Sequence, residues 1–382
     1  MRFRILLLSL VCVALAGRLA QAQPPSPIDP TLFAFPGGTM NPPSAASAGL
    51  AGADLWLGDE PFNNPAARGA RMVVVSPELV RVSRQDLRAD NRNFDDNPLF
   101  FDLAGAAVGI PKTPVWIYVF QPGLRFEDFV FNRGTGTDPT VQPAVITAQS
   151  DMREGRAGLS ASYGRNQFRA GLAVEWTRRQ DRYFVREQSG SPNQGDRELT
   201  FEGDAFGYNI GFRYDSADSG TGRVTIGAAV RALSALDVDA DQTLTLLSGD
   251  SVATIPAQRE AGWEAGLSGR YFFTPAFAAL ASVGMRTEQE WKGFDTTAGP
   301  FTMWRVGISF HDSRDPWTAR FAYGMDHQDD VPEPNANVLG LGFGWNLEGI
   351  QLDLGVQHSS IERGDEPRSY EDRVIGSVVV GF

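Results

Sequence analysis

The chain has 382 residues, with 34 Lys and Arg against 46 Asp and Glu, for a formal net charge of −12. That balance excludes a nucleic-acid binder, whose affinity rests on clustered cations. Cys12 is the single cysteine, so no disulfide framework holds the fold, and hydrogen bonding and burial must do so.

Arg2 and Arg4 precede an apolar run from Ile5 to Ala16, and Ala20-Gln21-Ala22 offers small residues for cleavage. This spacing predicts a secretory signal over residues 1–22, too short to span a bilayer. Cys12 follows Val11 rather than a small residue, which argues against lipidation. Gln23 to Pro43 is rich in Pro, Gly and Ser and reads as a flexible lead-in, so residues 23–69 form an N-terminal segment. No later linker divides the chain, and 70–382 is read as one domain.

Two strands fit between Ala70 and Ile110, although Val73 to Val80 also reads partly as helix. Val115 to Phe120 is strongly β-prone, is broken by Pro122-Gly123, and resumes from Leu124 to Phe131. Proline removes a ladder hydrogen bond and is confined to edges and bulges. The break therefore predicts a bulge or a gap in the third strand; a bulge or loop with no transport role is the plainer alternative.

From Met152 onward one pattern repeats. Phe168, Ala170, Leu172, Val174 and Trp176 alternate with Arg169, Gly171, Ala173 and Glu175, and Leu339, Leu341, Phe343 and Trp345 alternate with Gly340, Gly342 and Gly344. One face is aliphatic and aromatic, with rings near strand ends, as membrane girdles require. The other carries Gly, Ser, Arg and Glu. Glycine weakens a strand and is tolerated where something passes close to it, so this face is expected to line a lumen.

Arg165-Asn166, Thr274-Pro275, Ser313 to Asp315 and Glu348-Gly349 are tight turns. Longer polar loops are expected at roughly 132–151, 179–203, 235–259, 289–300, 327–336 and 362–371, always on the other side, as in outer-membrane barrels. The last residues, Glu371 to Phe382, put Phe382, Val380, Val378 and Val374 on one face and end on an aromatic. That is the closing strand of an outer-membrane barrel, or else of a soluble β-sandwich. Counting back from it gives about fourteen strands. The fold class expected is all-β, a transmembrane antiparallel up-and-down β-barrel in the bacterial outer membrane, with both termini periplasmic.

Arg156, Arg169, Arg213, Arg231, Arg270 and Arg305 fall on the luminal face, with Glu175, Glu264, Arg286, Glu288 and Arg320. They are candidates to hold a ligand headgroup by bidentate pairing, or to pair with one another and brace a filled bore. His311, His327 and His358 are scattered, and no G-x-S-x-G or H-E-x-x-H occurs, so no enzyme, cofactor or metal is expected. Asp237, Asp239 and Asp241 open like a calcium loop, but Gln242 and Ser248 stand where Gly and Glu are needed. A looser surface calcium site in 235–259 stays open.

Ser47 to Ala53, then Asp59-Glu60, then Asn63-Asn64-Pro65-Ala66-Ala67 resemble the N-terminal signature of the long-chain fatty-acid transporter (FadL) family, which related type IX secretion shuttle barrels share. Small residues suit a backbone packed tightly in a bore, Asn64 can cap a turn, and Pro65 fixes φ. The resemblance implies that residues 44–69 fold into the lumen as a hatch that includes Gly49, Gly52, Asn64, Pro65 and Ala66. It also implies an inward kink at Pro122 and Gly123 that opens the wall toward lipid as a lateral gate. The implied function is passive transport of a hydrophobic or amphipathic, fatty-acid-like small molecule. The alternative is a non-transporting shuttle barrel that binds secreted proteins. The other implied partners are outer-membrane lipid, lipopolysaccharide and the barrel-assembly machinery. The luminal charge exceeds what a greasy conduit needs and points to an amphipathic ligand.

Overall fold

A chain that alternates apolar with small or polar residues can satisfy its backbone in lipid only by pairing every strand and closing the sheet. The computed structural model does so. It describes residues 40–67, 72–84, 99–133, 144–188, 196–216, 222–246, 249–294, 296–311, 316–329, 334–363 and 369–381. The signal segment 1–22 and Phe382 lie outside the described residues. The strands are β1 (Met72–Arg84), β2 (Leu99–Gly109), β3 (Val115–Arg133), β4 (Ala144–Arg165), β5 (Phe168–Gln188), β6 (Asp196–Asp215), β7 (Val224–Leu233), β8 (Leu236–Leu246) and β9 (Gly249–Arg259). They continue as β10 (Gly262–Thr274), β11 (Phe277–Arg286), β12 (Gln289–Lys292), β13 (Thr296–Ala298), β14 (Phe301–His311), β15 (Trp317–Gln328), β16 (Pro334–Leu347), β17 (Ile350–Arg363) and β18 (Ser369–Gly381).

These segments build a closed barrel of 14 antiparallel strands, because β7–β8, β9–β10, β11–β12 and β13–β14 are each one wall strand with a short interruption. Closure is the β1–β18 ladder, from Met72↔Gly381 to Arg84↔Ser369. Val73 to Val80 is strand throughout and pairs on both sides, which removes the partial-helix reading.

The wall has two zones. On β4 to β6 the outward positions Leu159, Leu172, Val174, Phe206, Tyr208, Ile210 and Phe212 form an exposed apolar belt. These strands run to 22, 21 and 20 residues, about twice the ~9–11 that a tilted crossing needs. Past Trp176, whose indole Nε1 donates to Asp204 Oδ2 at 3.1 Å, the outward face turns to Arg178, Gln180, Arg182 and Glu202. There the apolar residues face inward instead, as Tyr183, Val185, Leu199 and Phe201. Lipid rewards an apolar outer face, and water rewards an apolar inner one.

This inversion corrects two of the expected loops. Most of 179–203 is β5 and β6, and nearly all of 235–259 is the β8–β9 hairpin, from Leu236↔Arg259 to Leu246↔Gly249. Asp237 and Asp241 accept from Gln258 and Thr254 across that hairpin, and no group of three or more His, Cys, Asp or Glu among the described residues is placed to hold a metal. Glu288 falls in the interruption between β11 and β12 and is exposed, so it is not a luminal residue.

Residues 40–67 run across the bore. Helix α1 (Ala45–Gly49) begins at Ser44, whose Oγ accepts from Ser47 N at 3.3 Å, and it lies against β16, β17 and β18. The wall is recessed with glycine to receive the segment. A Cβ on Gly171 would stand 2.1 Å from Pro65 O, one on Gly355 2.1 Å from Ala45 O, and one on Gly266 1.9 Å from the Trp56 indole. Gly284, beside Gly266 on the next strand, would meet the same indole at 2.2 Å.

Gly266→Leu is expected to expel Trp56 while leaving the ladder intact. Limited proteolysis of the folded, heat-modifiable barrel should then cut within residues 40–67, where the unmodified protein resists; equal resistance would refute the fit.

Candidate functional site

The bore is filled in three layers. At the short-turn end, a cavity of about 290 Å³ is lined by Asp54, Asp59, Glu60, Arg270, Arg320 and Asp353 among others. Asp59 fastens the segment to the wall through two guanidiniums, Arg213 (Nη1 to Oδ1, 2.7 Å) and Arg270. Arg213 also donates to Leu57 O at 3.0 Å. Arg305 donates to Ala51 O at 2.7 Å and pairs with Asp326. Further wall groups serve the segment's backbone: Ser377 Oγ accepts from Ala45 N, Ser268 Oγ accepts from Trp56 N, and Ser162 Oγ donates to Ala67 O. Asn64, fully buried, donates to Trp56 O at 2.6 Å and to Phe212 O at 3.0 Å and accepts from Ala66 N, so it closes the turn ahead of Pro65 and Ala66. Gly49 lies against Gly342, and Gly52 takes a φ of 83° that suits its lack of a side chain.

The middle layer is ionic. Glu264 receives Arg156 at 2.8 Å, Arg286 at 3.2 Å and Arg231. Glu154 receives Arg156 at 2.6 Å and Arg259 at 3.3 Å, while Glu175 receives Arg231 at 2.6 Å and the Tyr118 hydroxyl at 2.6 Å. Tyr118 reaches Glu175 by lying over Gly158 of the strand between them. Arg231 also donates to Phe62 O at 2.8 Å, and Phe62 packs on Tyr118 and Phe120 at centroid distances of 6.1 and 5.7 Å.

Of the arginines singled out in the sequence, Arg156 and Arg231 therefore share one network, Arg213 and Arg270 share Asp59, and Arg305 stands apart. Arg169 lies alongside Gly164 near the turn that follows β4. The geometry is the bracing one. Glu154, Arg179, Asp181 and Arg259 belong to the same layer and were missed, because Arg179, Asp181 and Arg259 fall within stretches read as loops and Glu154 lies just past one. The alternation Arg179-x-Asp181-x-Tyr183 was the available signal.

The third layer, toward the long loops, is apolar. Phe201, Trp291 and Phe294 pack at 5.1 to 6.2 Å, with Tyr183, Val185, Leu199 and Val238 around them.

Beside these layers the wall ladder changes at Pro122. The β3–β4 pairing reaches Phe120↔Arg156 and resumes at Gly123↔Glu154, so Gln121 and Pro122 bulge. On the other side, the β2–β3 pairing stops at Gly105↔Phe120, although both strands continue toward the long loops. The interruption on that side lies between β2 and β3. The Pro122 carbonyl accepts from Asn41 N at 2.9 Å, which ties the start of the luminal segment to the bulge.

His311, His327 and His358 bond to Thr318, Asn335 and Asp372 respectively and form no common site.

The backbone is similar to that of a FadL homologue from Pseudomonas aeruginosa, with a TM-score of 0.62 at 15% identity over 90% of this chain and 100% of that one. The toluene transporter TbuX of Ralstonia pickettii gives 0.56 at 13% identity over 89% and 98%. CymD, a monoaromatic hydrocarbon channel, gives 0.55 at 12% identity over 89% and 97%. No family model and no curated protein sequence matches the chain. The fold is that of the FadL-type barrels.

Two outcomes follow from these layers. Glu264→Gln leaves three guanidiniums short of their shared carboxylate and should destabilise the barrel by about 3–5 kcal/mol, read by denaturant unfolding in detergent micelles. The second concerns Glu60, beside Asp54, Asp59 and Asp353 and near Ser44. Burial, and then the Asp54 carboxylate, push its pKa from 4.5 up to about 8. Burial also opposes the Asp59 carboxylate, but Arg270 and Arg213 outweigh it and hold that pKa well below the usual range. A Glu60 that is protonated when docked and ionises freely when released contributes to docking fully below its free pKa of 4.5 and progressively less as pH rises toward 8, while the Asp59 contribution stays in place across that window. Proteolysis within 40–67 should quicken over that window, and Glu60→Gln should flatten the dependence.

Proposed function

We propose that this FadL-type barrel carries hydrophobic or amphipathic small molecules passively across the bacterial outer membrane and releases them sideways between β2 and β3. The observation that carries the reading is the end of the β2–β3 ladder at Phe120, next to an ionic layer that fills the bore. An apolar solute gains nothing by crossing buried Glu264, Arg231 and Arg156, where it would part charges from their partners. It gains by leaving into hydrocarbon.

The gap lies on the long-loop side of the Phe120↔Arg156 pair, where the apolar cluster of Phe201, Trp291 and Phe294 receives a ligand above the ionic layer. Leu103, on the stretch of β2 that pairs with β1 but not with β3, is apolar and exposed, which suits a contact with lipid. Pro122 and Gly123 set the gap by withholding a donor and bending β3, while Asn41 and Phe62 link it to the luminal segment acting as a hatch. Two barrels of this fold, TbuX and CymD, are a toluene transporter and a monoaromatic hydrocarbon channel, which supports a hydrophobic cargo.

Proteoliposomes carrying the protein should take up a hydrophobic dye faster than empty ones, and Pro122→Ala with Gly123→Val should cut that rate while heat-modifiable mobility is kept. Unchanged uptake in the double variant would sink the lateral exit. No uptake by the unmodified barrel would sink transport altogether and leave the shuttle function as the better reading.

A further inference from the structure

The outer wall above the lipid belt carries a groove that neither the bore nor the lateral exit uses. It holds about 440 Å³ and is lined by Asp151, Arg153, Gln180, Arg182, Glu202 and Asp241 among others. Register makes these residues one surface. Arg153, Gln180 and Glu202 are direct cross-strand partners on β4, β5 and β6, and Asp151 and Arg182 pair two residues nearer the long loops. Asp241 of β8 stands at that same height, because Thr200 is the partner of both Arg182 and Asp241.

Below the groove the wall is notched. Gly155 comes next on the same face of β4, where a Cβ would meet no atom within 4 Å, and Ala157 follows it. Leu159, Val174, Phe206 and Tyr208 of the exposed apolar belt then continue toward the middle of the bilayer.

Height decides what can reach the groove. Trp176 marks the interface between lipid and water, as belt aromatics do. Gln180 and Arg182 lie four and six residues farther along β5. At ~3.3 Å per residue and a strand tilt of ~40°, they stand roughly 10 to 15 Å above Trp176. Phospholipid headgroups fill only about 5–8 Å on each side of the hydrocarbon, so they stop short. A lipid that carries an oligosaccharide does not.

The lining suits sugar hydroxyls, each of which both donates and accepts. Asp151, Glu202 and Asp241 accept, while Arg153, Gln180 and Arg182 donate. Three carboxylates against two guanidiniums disfavour a bare anion. At present these groups bond one another and their neighbours: Arg153 donates to Asp151 at 2.8 and 3.0 Å, Gln180 to Glu202 at 2.7 Å, and Arg182 to Glu198 at 2.7 Å. Solvent-exposed pairs of this kind contribute little, so a ligand exchanges them at small cost.

We infer that this groove holds neutral core sugars of lipopolysaccharide, the glycolipid of the outer leaflet, whose acyl chains lie on the belt below Gly155. The inference rests on the outer-membrane placement with the long loops outside, and on neither transport nor the lateral exit.

The test uses the full-length barrel in nanodiscs, read by native mass spectrometry with three lipid probes. These are lipopolysaccharide with its core sugars, lipid A, which keeps the acyl chains without the core, and phosphatidylglycerol. Lipopolysaccharide should be retained more tightly than lipid A by about tenfold, the worth of one net hydrogen bond. Gln180→Ala with Asp241→Ala, both at exposed positions, should remove that preference and leave lipid A binding and heat-modifiable mobility as they were. Equal retention of the two, or a preference that survives the double variant, overturns the site and leaves a solvated charged wall. Tightest retention of phosphatidylglycerol overturns the ligand class. Free core oligosaccharide bound as tightly as intact lipopolysaccharide overturns the membrane source. Dye uptake into proteoliposomes keeps the two readings apart: it is unchanged in the double variant if transport is right, whatever becomes of the sugar site, and absent in every form if transport is wrong.

Discussion

Backbone groups inside a bilayer have no water to bond, and that single constraint organises the molecule. It demands the β1–β18 ladder that closes the wall. It sends the aliphatic and aromatic face outward across the lipid and leaves Gly, Ser, Arg and Glu facing a bore. Where the ladder is incomplete, between β2 and β3, the protein partly compensates from inside: Asn41 supplies the amide that Pro122 O lacks. The break is thus tied to the luminal segment rather than left as a loose edge.

The bore is a solid interior more than a pore. Glycine recesses at Gly171, Gly266, Gly284 and Gly355 receive the chain from Ala45 to Pro65, and wall serines, Asn209 and arginines bond its backbone. Above it, Glu264, Glu154 and Glu175 share Arg156, Arg231, Arg286 and Arg259. Buried charges of this kind hold only as a complete set, since each carboxylate serves more than one partner. Such a layer gives the bore a polar floor.

Much of this was legible in the residues. The alternation from Phe168 to Trp176 marks a membrane strand, and Arg165-Asn166 and Glu348-Gly349 mark tight turns between strands. The run of small residues before Asn64-Pro65 marks a stretch of backbone that can lie close to a wall. The upper parts of β5 and β6 and the whole of β8 and β9 were not legible as strands, because past Trp176 the apolar residues change face. A reading that follows one phase of the alternation takes that change for the end of a strand. Glu288 was misplaced for a related reason, since a two-residue interruption shifts the inward parity between Arg286 and Gln289.

The sequence by itself determined the class of the protein, because a period of two with a lipid-compatible face is a local property of each strand. It also located the break in the third strand, since proline withdraws its donor wherever it sits. Only the tertiary structure decided which charges meet. Glu264 and Arg156 are neighbours because the strands between them curve round a closed wall, and no local spacing encodes that. It likewise decided that the ladder stops on the β2–β3 side of the third strand. Pairing partners and inward parity depend on register, which is set by the whole ladder at once.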